Sequence, residues 1–307
     1  MTYSLVMTTY NDASEIHQTL RNIAQQSVIP GELIIVDGGS SDNTCEIIKR
    51  ESTDFPCEIV LISGKRRNIS EGLNDAIHRC QYQYVGIAAT GNRYESNFYE
   101  LLLADAIHND SDFSYGPIIG EGSSAFAKSY NKILLGGESG LKMNIASNHG
   151  CICRKKAIEK NGYFYEKFVY AGEDAEFYER ALRRKYIFSY VKEARLYWRT
   201  PDTWKKYIRQ MRNYVIAQMQ MKDCLHFIEF YKYGFSMFLL LFLIIVMMAV
   251  SWKAGIVALL VGILYSAYKV MRIGMCEYLI LLVNNMYPVI CTIKEHKYLT
   301  EQYKVKN

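Results

Sequence analysis

The chain has 307 residues, of which half are hydrophobic and 22% charged, a composition that excludes an intrinsically disordered protein. The net charge of +5 is too small to predict nucleic-acid binding, but it suits an anionic membrane surface or phosphate-bearing ligands. The eight cysteines are scattered, which predicts reduced thiols in a cytoplasmic protein and excludes a disulfide framework.

Strand and helix patterns alternate along the first hundred residues. Buried-strand patterns occur in "YSLVMTTY", "ELIIVDGG", "EIVLIS" and "YVGIAA", and amphipathic helices are predicted between them. This order predicts an α/β fold with a mostly parallel, doubly wound sheet and ligand sites at the carboxyl ends of its strands. We expect a looser, Gly/Ser-rich cover at residues 115–140 and a second α+β portion at 148–214.

Two uncharged apolar runs, Gly234–Val250 and Ala254–Tyr268, are joined by a three-residue turn. Each is slightly shorter than the roughly 20 residues that span a bilayer core. The pattern predicts a helical hairpin that crosses a thin bilayer or enters one leaflet, and a buried hairpin of a soluble domain is the alternative. Trp252 and Tyr265 lie at the ends of the runs, where aromatic belts form, and favour the membrane.

Polar side chains follow the first two predicted strands. Thr8, Thr9 and Tyr10 end the first strand and offer hydroxyl groups and an aromatic ring. Asp37 ends the second strand and is followed by Gly38, which lets a ligand approach the backbone, and by a helix whose N–H groups face outward. An acidic side chain at this place commonly accepts from a base or ribose, and a simple turn is the alternative.

Together these segments, "TTYNDASEIHQTLRNIAQQSVIPGELIIVDGGSSDNT", resemble the opening of family 2 glycosyltransferases of the GT-A fold. The resemblance implies a Rossmann-like sheet with helices on both faces and a pocket for a nucleotide sugar. It implies that Asp37 accepts from the base, most often uracil. "RRNISEGLNDAI" is similar to a further family segment that brings Arg67 and Asn68 toward the nucleotide. The predicted nucleotide-sugar site comprises Thr8, Thr9, Tyr10, Asp37, Gly38, Arg67, Asn68, Thr90, Gly91 and Asn92.

The segment "FVYAGEDAEFYERALRRKYIF" resembles the acceptor-side motif of the family. By this resemblance Asp174 is the general base, because inverting transfer needs a carboxylate that deprotonates the attacking hydroxyl. Glu173 is a further candidate for contact with the diphosphate or acceptor. Acidic residues at a helix start also complement the helix dipole, which is the structural alternative.

The segment "ARLYWRTPDTWKKYIRQMRNY" is similar to a stretch of membrane-bound members that ends in "Q-x-x-R-Y". Gln210 and Tyr214 match this pattern, but the arginine falls one place early, at Arg212. The resemblance makes Arg199, Gln210 and Arg212 candidates for contact with the diphosphate or acceptor. Attraction of these arginines to a membrane surface is the alternative.

In the turn "AATGN", Ala89 and Gly91 occupy the positions where the family has two aspartates that hold a divalent metal. Magnesium and manganese prefer anionic oxygens, so we expect neither an ordinary metal site nor a required cofactor. The departing diphosphate still needs positive charge, which guanidinium groups supply well. The candidates are Arg66, Arg67, Arg93 and His149.

These observations predict an inverting glycosyltransferase that moves a sugar from a nucleotide-diphosphate donor, with UDP favoured, to a lipid-linked saccharide. It would act at the cytoplasmic face of the inner (plasma) membrane, in capsule, exopolysaccharide or O-antigen synthesis. Two alternatives stay open: an inactive nucleotide-binding membrane partner, and a polyprenyl-phosphate sugar synthase. The predicted organisation is a GT-A domain at 1–215, a linking helix at 216–233, a membrane hairpin at 234–271, and an interfacial or membrane-associated segment with a basic tail at 272–307.

Overall fold

The computed structural model describes residues 2–137, 146–168, 170–221 and 224–295, without the side chains of 224–233. The chain divides into two compact units. The first comprises Met1–Glu121 and Leu135–Thr200, and the second comprises Gly122–Leu134 and Pro201–Asn307. A short segment from the middle of the chain is therefore part of the carboxyl-terminal unit.

The first unit is built on two sheets. Its described strands are β1 Ser4–Thr9, β2 Glu32–Asp37, β3 Glu58–Ile62, β4 Tyr84–Ala89, β5 Asn92–Tyr94, β6 Phe113–Tyr115, β7 Ile118–Glu121, β8 Gly150–Arg154, β9 Phe188–Tyr190 and β10 Leu196–Arg199. The larger sheet has the order β3-β2-β1-β4-β8-β6-β9, and the smaller has the order β5-β10-β7. In the larger sheet β3, β2, β1 and β4 are parallel, while β8 is antiparallel to both neighbours. The predicted mostly parallel α/β sheet is confirmed.

Apolar residues cover both faces of the larger sheet, which is why its strands read as continuous hydrophobic runs. The described helices of this unit are α1 Ile16–Ala24, α2 Thr44–Glu51, α3 Ile69–Arg79, α4 Phe98–His108, α6 Lys155–Asn161 and α7 Glu173–Arg183. Helix α5, Ala125–Leu134, belongs to the second unit. Leu5 and Met7 of β1 pack with residues of α1 and α4. Val6, between them, packs on the other face with residues of α3 and α7.

The second unit is helical in the residues that the structure describes. Besides α5 it contains α8 Trp204–Gln220, α9 Cys224–Val250, α10 Trp252–Ile273 and α11 Met275–Lys294. By length and composition α10 and α11 could each cross a membrane, and the apolar part of α9, Gly234–Val250, is shorter. The predicted hairpin corresponds to α9 and α10, which Ser251 separates.

Two expectations about the connecting segments differ from the structure. The segment 115–140, predicted as a loose cover, contains β7 and α5 in its described part. Its Gly and Ser content obscures α5, whose buried face includes Ala127 and Tyr130 and which packs against α11. The segment 216–233, predicted as one linking helix, is divided between α8, which ends at Gln220, and α9, which begins at Cys224.

Candidate active site

A cavity of about 270 Å³ opens at the carboxyl ends of β1, β2 and β4. These strand ends are adjacent because the strands are parallel and in register, with Thr8 opposite Ala89 and Thr9 opposite Asp37. The cavity is lined by Thr8, Thr9, Tyr10, Asp12, Val36, Gly38, Arg67, Asn68, Ile69, Gly72, Ala89 and Thr90. The structure thus brings together most of the residues that the sequence assigned to the nucleotide-sugar site.

Tyr10 stands at the rim of this cavity with 56% of its surface exposed, so its ring is available for stacking. The loop that carries it is held by Asp12, whose carboxylate accepts from Thr9 Oγ1 at 2.9 Å and from the Tyr10 backbone at 3.1 Å. Asp12 was not predicted as a site residue, although it directly follows the "TTYN" motif. It places a carboxylate in the cavity wall.

Asp37 is only 2% exposed, and its carboxylate accepts hydrogen bonds from the loop that follows β2. Its Oδ2 accepts from the backbone N–H groups of Gly39 and Ser40, both at 3.0 Å, and its Oδ1 accepts from Ser40 Oγ at 2.5 Å. Gly39 has a φ of +92°, in the left-handed region that glycine adopts readily, so the chain can turn at this point of the loop. Asp37 therefore shapes the loop, and its contact with a base stays a prediction.

Arg67 and Asn68 enter the cavity wall from the loop before α3. The Nε of Arg67 lies 2.6 Å from Asp75 Oδ2, and its side chain is 14% exposed. Asn68 caps α3: its side chain accepts from Glu71 N–H at 2.9 Å, and the Glu71 carboxylate accepts from Asn68 N–H at 2.8 Å. Arg67 is thus the guanidinium that the structure places in the cavity, whereas Arg66 is exposed on the same loop.

The turn after β4 contains no carboxylate. Gly91 has a φ of +81°, and its N–H donates to Thr19 Oγ1 at 3.0 Å. Asn92 is buried, and its Nδ2 donates to the His149 carbonyl oxygen at 2.9 Å. Among the described residues no group of three or more His, Cys, Asp or Glu side chains is arranged to hold a metal ion. The methyl group of Ala89, the bare backbone of Gly91 and the engaged amide of Asn92 do not fit a divalent metal.

His149 connects this turn to the acidic pair at the start of α7. Its ring packs on Trp198 at 4.8 Å, and burial lowers its pKa although the negative charge of Asp174 opposes the shift. The imidazole is therefore neutral at neutral pH and supplies no counter-charge there. This weakens the case for His149 as a cationic phosphate contact.

The two adjacent carboxyl groups of α7 have different surroundings. Glu173 is buried and accepts from Asn148 Nδ2 at 3.3 Å. Burial, and secondly the charge of Asp174, raise the pKa of Glu173. Asp174 is partly exposed, and its Oδ1 accepts from the Ala175 N–H at 2.8 Å. Of the pair, Asp174 is thus the accessible carboxylate, and Glu173 retains its proton.

The remaining candidates have partners elsewhere. Arg93 donates to Glu121 at 2.8 Å, lies 3.9 Å over the Tyr197 ring and lines a separate polar cleft. Arg199 pairs with Glu15. In the second unit the Gln210 amide donates to Tyr214 Oη at 2.8 Å, and the Arg212 Nε donates to Glu295 at 2.7 Å. Neither Arg93 nor Arg199 is among the described residues that line the cavity at the carboxyl ends of β1, β2 and β4.

Comparison with known proteins identifies the family. The model described as "Glycosyl transferase family 2" matches residues 4–168, and that described as "Glycosyl transferase family group 2" matches residues 115–291. A poly-beta-1,6-N-acetyl-D-glucosamine synthase of Staphylococcus aureus (strain COL) is 33% identical over 84 residues, which cover 27% of this chain and 20% of that protein. The chain thus matches about one fifth of the length of this curated relative.

Solved structures show the same fold. The mannosyltransferase PcManGT from Pyrobaculum calidifontis, in complex with GDP-Man and Mn2+, has a TM-score of 0.68 at 17% identity and covers 96% of this chain and 88% of its own. S. aureus TarS 1-349, in complex with UDP-GlcNAc, has a TM-score of 0.50 at 17% identity, with coverage of 73% and 68%. Each of the two family models matches more than half of the chain. The chain therefore belongs to glycosyl transferase family 2 and has the GT-A fold.

Proposed function

We propose that the chain is an inverting glycosyltransferase that uses a nucleotide-diphosphate sugar, with UDP favoured, and a lipid-linked saccharide acceptor. The observation that carries the proposal is a line of contacts from the cavity to the candidate base. Thr90 lines the cavity, and Asn92, two residues later, donates to the His149 carbonyl oxygen. Asn148, the neighbour of His149, donates to Glu173, which directly precedes Asp174. These contacts connect the cavity wall to the helix that carries Asp174.

The donor would occupy the cavity with its base near the exposed ring of Tyr10. Thr8 and Thr9 add hydroxyl groups, and the backbone at Gly38 allows close approach. The two structural neighbours contain UDP-GlcNAc and GDP-Man, both nucleotide-diphosphate sugars. We assign the same class of donor to this chain.

In the proposed reaction an acceptor hydroxyl attacks the anomeric carbon of the donor sugar. Asp174 takes the hydroxyl proton as the new glycosidic bond forms, and the bond from the sugar to the diphosphate breaks, leaving its electron pair on the diphosphate. Asp174 suits this role because it is partly exposed, while its neighbour Glu173 is buried and protonated. The second carboxyl group therefore adds little negative charge near the departing diphosphate.

We further propose that transfer does not depend on a divalent metal, since the turn after β4 does not fit one. Arg67 lies in the cavity wall, and its guanidinium can donate to phosphate oxygens. Arg66, exposed on the same loop, is the second candidate. The sequence also suggested Arg93, but it lines a separate cleft, which makes it a weaker candidate.

We assign the acceptor to the membrane because α10 and α11 are long and apolar enough to cross one. The curated relative makes a polysaccharide. A polyprenyl-linked saccharide at the cytoplasmic face of the plasma membrane, in capsule, exopolysaccharide or O-antigen synthesis, fits both features.

The test is transfer of labelled sugar from UDP-sugars to a polyprenyl-linked saccharide by the detergent-solubilised full chain. Retention of the label in the lipid phase, lost in Asp174→Asn, supports the proposal. Transfer to polyprenyl phosphate alone would instead identify a polyprenyl-phosphate sugar synthase. Binding of UDP without consumption of any donor would identify an inactive membrane partner.

A further inference from the structure

We propose that Asn74 of α3 is a positioning residue for Asp174, the candidate base. It holds residues 163–166, which we call the bridge segment, and this segment in turn holds the helix that carries Asp174. The inference rests on the base proposed above and adds a residue through which that base is placed. Asn74 is not among the described residues that line the cavity at the strand ends, so its effect on the reaction passes through the bridge segment.

The side chain of Asn74 binds the bridge segment at three points and is 6% exposed. Its Nδ2 donates to the Phe164 carbonyl oxygen at 2.8 Å and to Glu166 Oε1 at 2.9 Å, and its Oδ1 accepts from the Phe164 N–H at 3.0 Å. Phe164 is itself buried, so its backbone groups depend on partners within the protein. An asparagine offers a donor and an acceptor side by side, which a carboxylate cannot do, so Asn74 suits both backbone groups of Phe164.

Helix α3 holds the bridge segment at two further points. The Asn68 Nδ2 donates to the Glu166 carbonyl oxygen at 2.7 Å, and the centres of the His78 and Tyr163 rings are 4.4 Å apart. Asn68 also lines the proposed donor cavity. The bridge segment is therefore attached to α3 from the cavity wall to the last turn of the helix, with Asn74 between these points.

The other side of the bridge segment contacts α7. The Phe164 ring stacks on Phe177 with ring centres 4.2 Å apart, and both side chains are buried. Arg180 of α7 donates to the Tyr163 carbonyl oxygen at 2.8 Å. Asp174 lies three residues before Phe177, about one helical turn away. The position of the bridge segment thus helps to fix where the first turn of α7, with the candidate base, lies.

The backbone of the bridge segment has a conformation that its sequence does not favour. Tyr163 has a φ of +58°, in the left-handed region, where a bulky aromatic residue is strained. Such strain persists where the surroundings hold the residue in place. Here the holding groups are Arg180 on the Tyr163 carbonyl oxygen, His78 on its ring and Asn74 on the next residue. We expect the segment to relax, and α7 to shift, when the contacts of Asn74 are lost.

This arrangement predicts a specific kinetic effect. A displacement of α7 by about 1 Å would move the candidate base away from the acceptor hydroxyl, and a misplacement of that size can cost about a hundredfold in rate. The donor cavity should keep its shape, because Asn68 is held separately by its capping contacts with Glu71. Loss of the Asn74 contacts should therefore lower kcat while donor affinity stays the same, whereas a general loss of structure would lower both.

The test measures kcat for sugar transfer, UDP affinity and melting temperature for the detergent-solubilised full chain and its Asn74 variants. In Asn74→Asp the new carboxylate cannot donate, and it faces the Phe164 carbonyl oxygen and the Glu166 carboxylate. We expect kcat to fall about ten- to hundredfold, with the Kd of UDP near that of the unchanged chain.

The fold should survive this substitution. Asn74 borders a cleft of about 480 Å³ that the exposed Tyr165 also lines, so water can reach the new carboxylate. Asn74→Ala, measured in parallel, removes the contacts without adding charge, and we expect the same loss in kcat.

A second substitution should restore the contact. In Asn74→Asp/Glu166→Gln the glutamine amide can donate to the new carboxylate, so the repulsion between the two side chains is removed. We expect this variant to recover most of the lost kcat. Glu166→Gln alone retains an oxygen that accepts from Asn74, and should change kcat little. The matched control Asn97→Asp adds a carboxylate at the exposed N-cap of α4 and should keep the kcat of the unchanged chain.

Unchanged kcat in Asn74→Asp and Asn74→Ala would overturn the inference even if their melting temperatures fell, because the contacts would then serve stability alone. Equal losses in kcat and in UDP affinity would also overturn it, since the donor cavity itself would then be distorted. No recovery in Asn74→Asp/Glu166→Gln would contradict the part assigned to the contact with Glu166.

Failure of the proposed base has a different outcome. Full turnover in Asp174→Asn would remove Asp174 as the base, and the positioning role of Asn74 with it. Loss of turnover in Asp174→Asn together with unchanged kcat in the Asn74 variants would remove the positioning role alone. The two failures are therefore distinguishable.

Discussion

The side-chain amide of Asn92 lies against His149, with Nδ2 2.9 Å from the histidine carbonyl oxygen and 3.2 Å from its Nδ1. The amide of Asn92, which directly follows Gly91, is thus engaged within the protein. The charge of a departing diphosphate must be met by other groups. Among the described residues, Arg67 is the arginine that lines the cavity at the strand ends, where we propose that the donor binds.

Replacing the candidate base should stop transfer but leave the donor bound. We expect Asp174→Asn to lower kcat at least about a hundredfold, because an amide cannot accept the hydroxyl proton. UDP affinity, measured by calorimetry, should stay near that of the unchanged chain. Glu179→Gln, on the same helix, is the control and should keep activity. Wild-type turnover in Asp174→Asn would assign the base to another residue.

Arg67→Ala should weaken binding of UDP more than binding of uridine, since the guanidinium is expected to meet the diphosphate. Loss of one charge-assisted hydrogen bond corresponds to about 1.5–3 kcal/mol, or roughly ten- to hundredfold in Kd. Calorimetry with both ligands separates this effect from a general distortion of the loop. Arg93→Ala is the matched control and should change neither Kd. Equal losses for UDP and uridine would argue against a phosphate contact.

The buried Glu173 should make stability depend on pH. Burial and the charge of Asp174 raise its pKa to about 8, so the folded chain holds a proton that the unfolded chain releases at a lower pH. Its contribution to the free energy of unfolding is full below the ordinary range of a glutamate and is lost as pH rises through about 8.

The variant Glu173→Gln cannot ionise, so its melting temperature should fall less between about pH 5 and pH 8 than that of the unchanged chain. The control Glu176→Gln changes a carboxylate that is paired with Arg180 and should keep the original slope. Thermal melts across this range make the comparison. An unchanged slope in Glu173→Gln would show that Glu173 is ionised in the folded state.

Asp37 has a structural role that can be separated from base recognition. Asp37→Ala leaves the N–H groups of Gly39 and Ser40 without their acceptor, and should lower the free energy of unfolding by about 1–3 kcal/mol for the two lost hydrogen bonds. Asp37→Asn retains an acceptor oxygen and should unfold at a similar denaturant concentration. If Asp37 also accepts from the base, Asp37→Asn should still bind UDP more weakly. An unchanged affinity would remove Asp37 from base recognition.

The fold of the first unit follows from local sequence patterns. Buried strands and amphipathic helices alternate from β1 to β4, and parallel register then brings Thr8, Asp37 and Ala89 to one edge. Helix α5 could not be found in this way. Its apolar face is explained by packing against α11, which lies far along the chain.

Sequence patterns could likewise not predict which way the Arg93 side chain points. Strand β5 has three residues and pairs with β10, roughly a hundred positions later. Alternation along β5 buries Asn92 and Tyr94 and turns Arg93 to the opposite face, beside Tyr197. The partner of Arg212 was hidden for the same reason, since Glu295 belongs to a distant helix.

The most direct measurement is sugar transfer by the full chain in saturating EDTA, repeated with manganese in place of EDTA, for the unchanged chain and for Arg67→Ala. The account predicts similar rates under both conditions for the unchanged chain and a large loss in Arg67→Ala under both. A hundredfold stimulation by manganese would contradict it, because the reaction would then depend on metal ligands that the turn of Ala89 and Gly91 does not provide.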